Sequence, residues 1–83
     1  MKRIEWHKKA LRQLRKIKDT KIRSTIKNAV GSLVDFPNCQ NVKRLVNHPL
    51  DYRLRVGNWR VFFTESLEII SIEEVKKRNE RTY

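Results

Sequence analysis

Three arginines and one phenylalanine alternate with apolar residues in the C-terminal half of the chain. Gly57-Asn58 interrupts this alternation and is typical of a two-residue hairpin loop of type II′, which has glycine at its first central position. Such a loop places Arg55 opposite Arg60 and Arg53 opposite Phe62. These four side chains then share one side of the hairpin. Guanidinium groups bind phosphate bidentately and aromatic rings stack on unpaired bases, so this side is suited to single-stranded nucleic acid.

The two opposing arginines need an explanation beyond folding. Like charges that face each other on neighbouring strands destabilise the pair, so folding alone favours threonine, tyrosine or glutamate at one of the two positions. A solvent-exposed sheet face that happens to be basic is the alternative interpretation. Three guanidinium groups beside one ring favour an anionic ligand, because its charge would offset the repulsion.

The elements that position this hairpin follow from the apolar periodicity. Residues 2–6 predict a short strand, and residues 7–17 and 20–33 carry apolar side chains at helical spacing. The link between the two helices is short and offers Asp19 or Thr20 as an N-cap, so an antiparallel helical hairpin is expected.

The chain after these helices is predicted to be β-rich. Residues 38–50 form a connector with a short extended piece at 42–45, the central hairpin follows, and residues 67–75 supply a third strand before a polar basic tail. The order β-α-α-β-β-β predicts one α+β domain over residues 1–83, with the helical hairpin packed on a small antiparallel β-sheet.

The charge balance points to a polyanionic partner. Twenty Lys and Arg against nine Asp and Glu give a net charge of +11, with a pI near 10.4. No apolar run approaches the roughly 20 residues that cross a bilayer, and the basic start is no signal peptide, so the expected location is the cytoplasm. One cysteine and two histidines offer few metal ligands, so neither metal nor cofactor is expected.

Two segments of the sequence resemble a known family. The stretch YRLRVGNWRVFF, which begins at Tyr52, resembles the central hairpin of the RelE/ParE toxin superfamily, and VKKRNERTY, which begins at Val75, resembles its last strand and basic tail. With two helices before them, the similarity covers essentially the whole chain. For RelE-type members it implies a RelE-like fold and an endoribonuclease that cuts messenger RNA in the ribosomal A site. The RNA's own 2′-hydroxyl is then the nucleophile, and no metal is implied.

The resemblance also implies which residues carry the catalysis. The arginines of the hairpin would neutralise and position the phosphate, a tail arginine would add to this clamp, and a tail tyrosine would stack on a base or orient the 2′-hydroxyl. The implied set comprises Arg53, Arg55, Arg60, Arg78 and Tyr83.

Two points in this assignment stay open. Relatives have lysine at the positions of Arg53 and Arg55, and arginine is a poor proton carrier because its pKa lies above ~12. Lys77 is therefore a candidate acid or base. The spacing of the tail varies within the family, so Arg81 is an alternative to Arg78.

Further residues are predicted to contact RNA. Phe62 is expected to stack on a base, and Lys77 and Arg81 to bind near it. The basic side of the first helix is either solvated surface or a second contact with ribosomal RNA. Its candidate residues are Lys8, Lys9 and Arg12.

Other residue types offer alternatives for the proton transfers. His7 opens the first helix and His48 lies in the connector, so exposed imidazoles are the simpler interpretation of both. One of three glutamates near the last strands could act as a base, but pairing with nearby arginines is expected instead. They are Glu65, Glu68 and Glu73. Cys39 is expected to be an inert thiol, and the tryptophans Trp6 and Trp59 to be core residues.

Two competing functions remain, a ParE-like inhibitor of DNA gyrase with the same fold and a nucleic-acid-binding module without turnover. The arginine set favours the RelE type. The resemblance further implies a cognate antitoxin, acidic and partly disordered until it binds, in a hetero-oligomer that binds operator DNA through the antitoxin. Messenger RNA and the ribosome, through its 16S rRNA, are the other expected partners.

Overall fold

The alternation in the C-terminal half produces the predicted hairpin. In the computed structural model, which describes residues 1–78, β3 (Tyr52–Val56) and β4 (Trp59–Ser66) pair antiparallel, with Arg55 opposite Arg60 as expected. Gly57 has a φ of +56° and Asn58 has a negative φ, as a type II′ turn requires. A turn that only glycine adopts without strain thus sets the register of the hairpin.

Three further strands complete a five-stranded sheet in the order β1-β5-β4-β3-β2. They are β1 (Arg3–Trp6), β2 (Val42–Arg44) and β5 (Ile69–Lys77). The expectation of a purely antiparallel sheet is wrong in one place, because β1 runs parallel to β5. No hairpin turn joins these two strands, so local turn chemistry does not set their relative direction.

Two helices and a short 3-10 turn cover one face of the sheet. The helices are α1 (Lys8–Arg15) and α2 (Thr20–Gly31), and the 3-10 turn is Ser32–Asp35. Asp19 caps α2 through its carboxylate, which accepts hydrogen bonds from the backbone N–H groups of Lys21 and Ile22.

The apolar stripes of the helices meet the apolar side of the sheet, as the periodicity predicted. The core combines side chains from both layers: Ala10, Leu14, Ile17, Ile26, Val30, Leu33, Leu54, Val61, Phe63, Ile70, Ile72 and Val75. The predicted α+β class, with the helices packed on a small sheet, is therefore confirmed. Within residues 1–78, no helix has the length and apolar character that crossing a membrane requires.

The last strand differs in its bounds from the prediction. Leu67 has a φ of +53° in the turn after β4, so β5 begins at Ile69 rather than at residue 67. The strand also continues to Lys77, because Trp59 and Arg60 pair with Lys77 and Lys76. Two lysines that were expected in a polar tail are thus part of the sheet.

A bulge in β5 connects the sheet to α1. Phe62 pairs with Glu74 and Phe63 with Ile72, so Glu73 is an extra residue without a partner on β4. Beyond Ile72 the outer edge of β5 is no longer covered by β1, and Gln13 of α1 accepts a hydrogen bond from the backbone N–H of Val75 at 2.6 Å. The helix therefore replaces the missing strand partner.

Candidate functional site

The sheet surface that faces away from the helices carries a concentration of cationic side chains. We call this surface the open face; the cross-strand register and the alternation of side chains define it. One row across the strands contains Lys43, Arg53, Phe62 and Glu74, and the next contains Arg55, Arg60 and Lys76. These two rows span four strands, and their five cations share the surface with a single carboxylate, Glu74.

Arg55 and Arg60 face each other as predicted, but they differ in exposure. Arg55 is exposed, whereas Arg60 is only 5% exposed. The Nη1 of Arg60 donates to the carbonyl oxygens of Gly57 at 3.1 Å and Trp59 at 3.0 Å, and its Nε has no hydrogen-bond partner. The guanidinium of Arg60 is therefore anchored to the hairpin turn, and Arg55 is the more accessible of the two.

The glutamates do not neutralise the arginines of the open face, contrary to expectation. Glu65 pairs with Lys2 at 2.8 Å, and Glu73 accepts a hydrogen bond from the hydroxyl of Ser71. Within residues 1–78, Arg53, Arg55 and Arg60 form no ion pair with any carboxylate. The Nε of Arg53 is buried and also lacks a hydrogen-bond partner. The positive charge of these three arginines is consequently left without a protein counter-ion among the described residues.

Glu74 is the carboxylate within these two rows, and lysines hold it. Its Oε1 lies 2.5 Å from the Nζ of Lys9 and 3.6 Å from that of Lys76. Partial burial by itself raises the pKa of Glu74, but the hydrogen bond and charge of Lys9, together with Lys76, outweigh burial and bring the pKa below its ordinary value. Glu74 is therefore an anion at neutral pH and does not serve as a proton donor.

Phe62 occupies the predicted place, but another ring covers it. The imidazole of His48 stacks on Phe62, with ring centroids 5.4 Å apart and ring planes inclined by 10°. His48 is exposed and Phe62 is half-buried. The connector between β2 and β3 thus contributes an aromatic ring to the open face, which the sequence interpretation had treated as incidental.

Two lysines on the open face were not predicted. Lys43 lies opposite Arg53, and Lys76 lies opposite Arg60. The predicted Lys77 instead pairs with Trp59, which places it on the side of the sheet that the helices cover. Lys76 was missed because the strand was expected to end one residue earlier. The only signal for Lys43 was the short extended piece at residues 42–45.

The remaining predicted site residues fall into two groups. The backbone N–H of Arg78 donates to the carbonyl of Asn58 at 2.6 Å, which keeps Arg78 beside the hairpin turn that also anchors Arg60. Arg81 and Tyr83 lie outside the described residues. Their predicted roles therefore remain predictions.

The first helix reaches the open face at its N-terminal end. His7 is the N-cap of α1, and its Nδ1 accepts from the backbone N–H of Lys9. Lys8 and Arg12 are exposed, whereas Lys9 is engaged with Glu74. Of the three basic helix residues that were considered for RNA binding, one therefore belongs to an internal ion pair.

The other candidate groups do not join the open face. Trp6 and Trp59 pack against the core as expected. Burial, reinforced by the negative charge of Asp35, raises the pKa of the Cys39 thiol, which makes it a poor nucleophile. Among residues 1–78, no three His, Cys, Asp or Glu side chains are arranged to hold a metal ion.

Comparisons with known proteins agree with this architecture. Residues 4–82 match the family model described as the ParE toxin of the type II toxin-antitoxin system, parDE. No curated protein matches the sequence significantly.

Three solved structures illustrate the similarity of fold. RelE in the archaeal RelE–RelB complex from Pyrococcus horikoshii OT3 is 23% identical with a TM-score of 0.79, over 95% of this chain and 97% of that one. The isolated Escherichia coli RelE toxin is 16% identical with a TM-score of 0.79, and the match covers 99% of this chain and 89% of that one. A chain of the RelBE2 toxin-antitoxin complex from Mycobacterium tuberculosis is 21% identical with a TM-score of 0.75, and the match covers 90% of this chain and 95% of that one.

Proposed function

The chain belongs to the ParE toxin family of type II toxin-antitoxin systems, within the RelE/ParE superfamily, and we propose that it acts as a RelE-type endoribonuclease on messenger RNA. The proposed reaction is attack of a 2′-hydroxyl on the adjacent phosphate in the ribosomal A site. It needs removal of a proton from the 2′-hydroxyl, stabilisation of a dianionic phosphorane and protonation of the leaving 5′-oxygen. Translation in the cytoplasm would stop as a result.

One observation carries this proposal. Arg53, Arg55 and Arg60 form no ion pair with a carboxylate among the described residues, although Glu65 and Glu74 are paired with lysines nearby. Uncompensated guanidinium groups on one face destabilise the isolated protein, and a phosphate would offset that repulsion. The open face is thus suited to an anionic ligand rather than to internal ion pairing.

The proposed roles follow from accessibility. Arg55 is exposed and Arg53 is half-buried beside the aromatic stack, so these two side chains would bind the scissile phosphate and stabilise the phosphorane. Lys43 and Lys76 would bind the flanking phosphates, since they extend the two rows at opposite ends. Arg60 is buried and bound to the turn, so it would stabilise the phosphate by its charge without direct contact.

The proton transfers would involve groups at the C-terminal end. The resemblance assigns a tyrosine there, and Tyr83 is the candidate that would orient the 2′-hydroxyl or stack on a base. Arg78 or Arg81 would add to the phosphate clamp. The position of Arg78 beside the hairpin turn is compatible with that role.

We further propose an acidic antitoxin as the controlling partner. The similar structures include RelB–RelE antitoxin-toxin complexes, and the family is defined by such pairs. A net charge of +11 favours an acidic partner, and an antitoxin segment that is disordered until it binds would neutralise the toxin. The hetero-oligomer would bind operator DNA through the antitoxin.

A second candidate function has its own support. The matching family model is that of ParE, and the RelE/ParE superfamily resemblance includes inhibitors of DNA gyrase. Gyrase inhibition would not require the uncompensated arginines of the open face. A supercoiling assay with purified gyrase tests it directly.

The deciding experiment is primer extension on a defined messenger RNA in a purified translation system, with a control that lacks ribosomes. Wild-type protein should cut within codons only when ribosomes are present. Arg55→Ala should slow cleavage roughly 100- to 1,000-fold, which is the usual effect of removing one charged stabiliser of a transition state.

Arg15→Ala provides the matched control, because it removes the same charge from an exposed site on α1. It should cut like wild type. An intact transcript with wild-type protein, together with inhibition of supercoiling, would reject the ribonuclease proposal in favour of the gyrase candidate.

A further inference from the structure

The stacked pair of His48 and Phe62 is a built feature of the open face. The two rings are nearly parallel, with 10° between their planes and 5.4 Å between their centroids. Phe62 lies directly opposite Arg53 in the register, so the stack stands next to the cations that are available for phosphate. The outer side of the imidazole faces solvent, because His48 is exposed.

The connector holds the imidazole in this orientation. The Nδ1 of His48 accepts a hydrogen bond from the backbone N–H of Leu50 at 3.0 Å. The loop is closed at its base by a hydrogen bond of 2.9 Å from the N–H of Leu45 to the carbonyl of Asp51. With Phe62 beneath and the Leu50 amide beside it, the ring is preorganised, so little side-chain freedom would be lost when a ligand contacts it.

We propose that the exposed side of His48, backed by Phe62, stacks on an unpaired base of the RNA whose phosphate lies on the neighbouring arginines. This inference rests on the proposed function and names one of its base-binding residues. Aromatic side chains beside cationic grooves bind single strands in this way, since every base presents a π-face. The platform is therefore the two-ring stack, and Phe62 alone is only its lower layer.

The geometry argues against a role for His48 as proton acceptor. In the neutral imidazole one nitrogen carries a hydrogen and the other accepts. The amide of Leu50 occupies Nδ1 as acceptor, so Nε2 carries the hydrogen and can only donate. A second alternative, displacement of His48 by the base, would break the Leu50 hydrogen bond and lose the existing stack.

Two substitutions separate these possibilities. His48→Phe keeps a flat ring and removes both nitrogens, whereas His48→Asn keeps polar atoms and removes the ring. The probe is an RNA with a 2′-deoxy substitution at the cleavage site and 2-aminopurine beside it, placed in the ribosomal A site. Stacking quenches 2-aminopurine fluorescence, so binding is measured without cleavage.

We expect His48→Phe to bind and quench like wild type, and His48→Asn to bind between about 5-fold and about 150-fold more weakly, the range for loss of one base–aromatic stack. His7→Asn is the control, because it removes the other imidazole while asparagine preserves the N-cap of α1. It should leave quenching unchanged.

Three results would overturn the stacking role. Normal binding by His48→Asn with loss in His48→Phe would indicate hydrogen bonding. Tighter binding by His48→Asn, the variant that uncovers Phe62, would indicate that the base displaces His48 from Phe62. Wild-type binding without quenching would mean that no base stacks there. None of these results depends on cleavage. A failure of the ribonuclease proposal, which primer extension measures, is therefore distinguishable from a failure of the stacking proposal.

Discussion

At the scale of single residues, Arg60 occupies a position on the open face that is unfavourable for a charged side chain. Its side chain is 5% exposed, its Nε has no hydrogen-bond partner, and Arg55 and Lys76 flank it on the neighbouring strands. The two hydrogen bonds that Nη1 donates are only part-buried, and Gly57 is exposed at the end of the hairpin, so water can reach this turn. We therefore expect burial and like-charge repulsion to outweigh the two hydrogen bonds.

The first prediction concerns Arg60→Met, which keeps a long apolar stem and removes the charge. We expect the free energy of unfolding to stay equal or rise by up to about 1 kcal/mol, because repulsion from the opposing cations is relieved. Urea denaturation at low and high salt measures this, and the gain should shrink with salt. A loss of more than about 1 kcal/mol would instead make Arg60 a structural anchor of the turn.

Glu74 leads to a prediction about pH. Because its pKa is lowered in the folded protein, the Glu74 carboxylate contributes stability that is fully present above the ordinary carboxylate pKa of about 4.3 and is lost as the pH falls through the lower, folded value. Glu74→Gln should therefore reduce the free energy of unfolding at pH 7 by a few tenths to about 1 kcal/mol, the range for such ion pairs.

Urea denaturation at pH 7 and pH 3 tests this difference. The difference in the free energy of unfolding between wild type and Glu74→Gln should narrow at pH 3, where Glu74 approaches its protonated form. Glu68→Gln is the control, since Glu68 is exposed and has no ion pair among residues 1–78. A gap that persists unchanged at pH 3 would show that packing, rather than charge, accounts for the effect of Glu74.

At the scale of elements, a hydrogen bond to Gln13 adds to the packing that holds α1 on β5. β1 ends opposite Ile72, and the bulge at Glu73 follows directly. Gln13 meets the N–H of the buried Val75 there, at 2.6 Å. Lys9, one turn earlier on the same helix, reaches Glu74. The bulge and the helix thus set the edge of the open face together.

We predict that Gln13→Ala lowers the free energy of unfolding by about 1–3 kcal/mol, because it leaves the buried N–H of Val75 without an acceptor. Thermal or urea denaturation measures the loss. Gln40→Ala makes the same change at an exposed position in the connector and should stay within about 0.5 kcal/mol of wild type. Equal stabilities for the two variants would mean that water replaces Gln13 at the bulge.

At the scale of the whole molecule, the positive side chains behind the net charge of +11 differ in whether they form ion pairs. Lys2, Lys9 and Lys76 lie in ion pairs, whereas the arginines of the hairpin do not, within the part of the chain that is described. If RNA binds on the open face, the salt dependence of binding should come mainly from that surface. The basic sides of the helices would then serve solubility and long-range attraction.

Lys43→Gln tests this division. It should flatten the log–log dependence of RNA affinity on salt by about 0.7, the value for one phosphate contact on a single strand. Lys21→Gln, at an exposed site on α2, should leave the slope unchanged. Replacement of Lys8 or Arg12 by glutamine tests whether α1 adds a second contact, because a flatter salt dependence would show that the replaced side chain binds a phosphate. Equal slopes for Lys43→Gln and wild type would exclude Lys43 from the RNA-binding surface.

The sequence by itself determined the features that depend on neighbours along the chain. Gly57-Asn58 fixed the hairpin register, and with it the common side of Arg53, Arg55 and Arg60, because a two-residue turn leaves one pairing for the strands it joins. Helix positions followed from apolar spacing in the same way, since a period of 3.6 residues is a local property.

Only the tertiary structure decided which distant residues join the site. The parallel pairing of β1, the bulge at Glu73 and the placement of Lys43 and Lys76 depend on contacts between strands that no short turn connects. The stacking of His48 on Phe62 depends on how the connector folds back over the sheet. These arrangements result from packing and charge across the whole chain, which no local pattern in the sequence encodes.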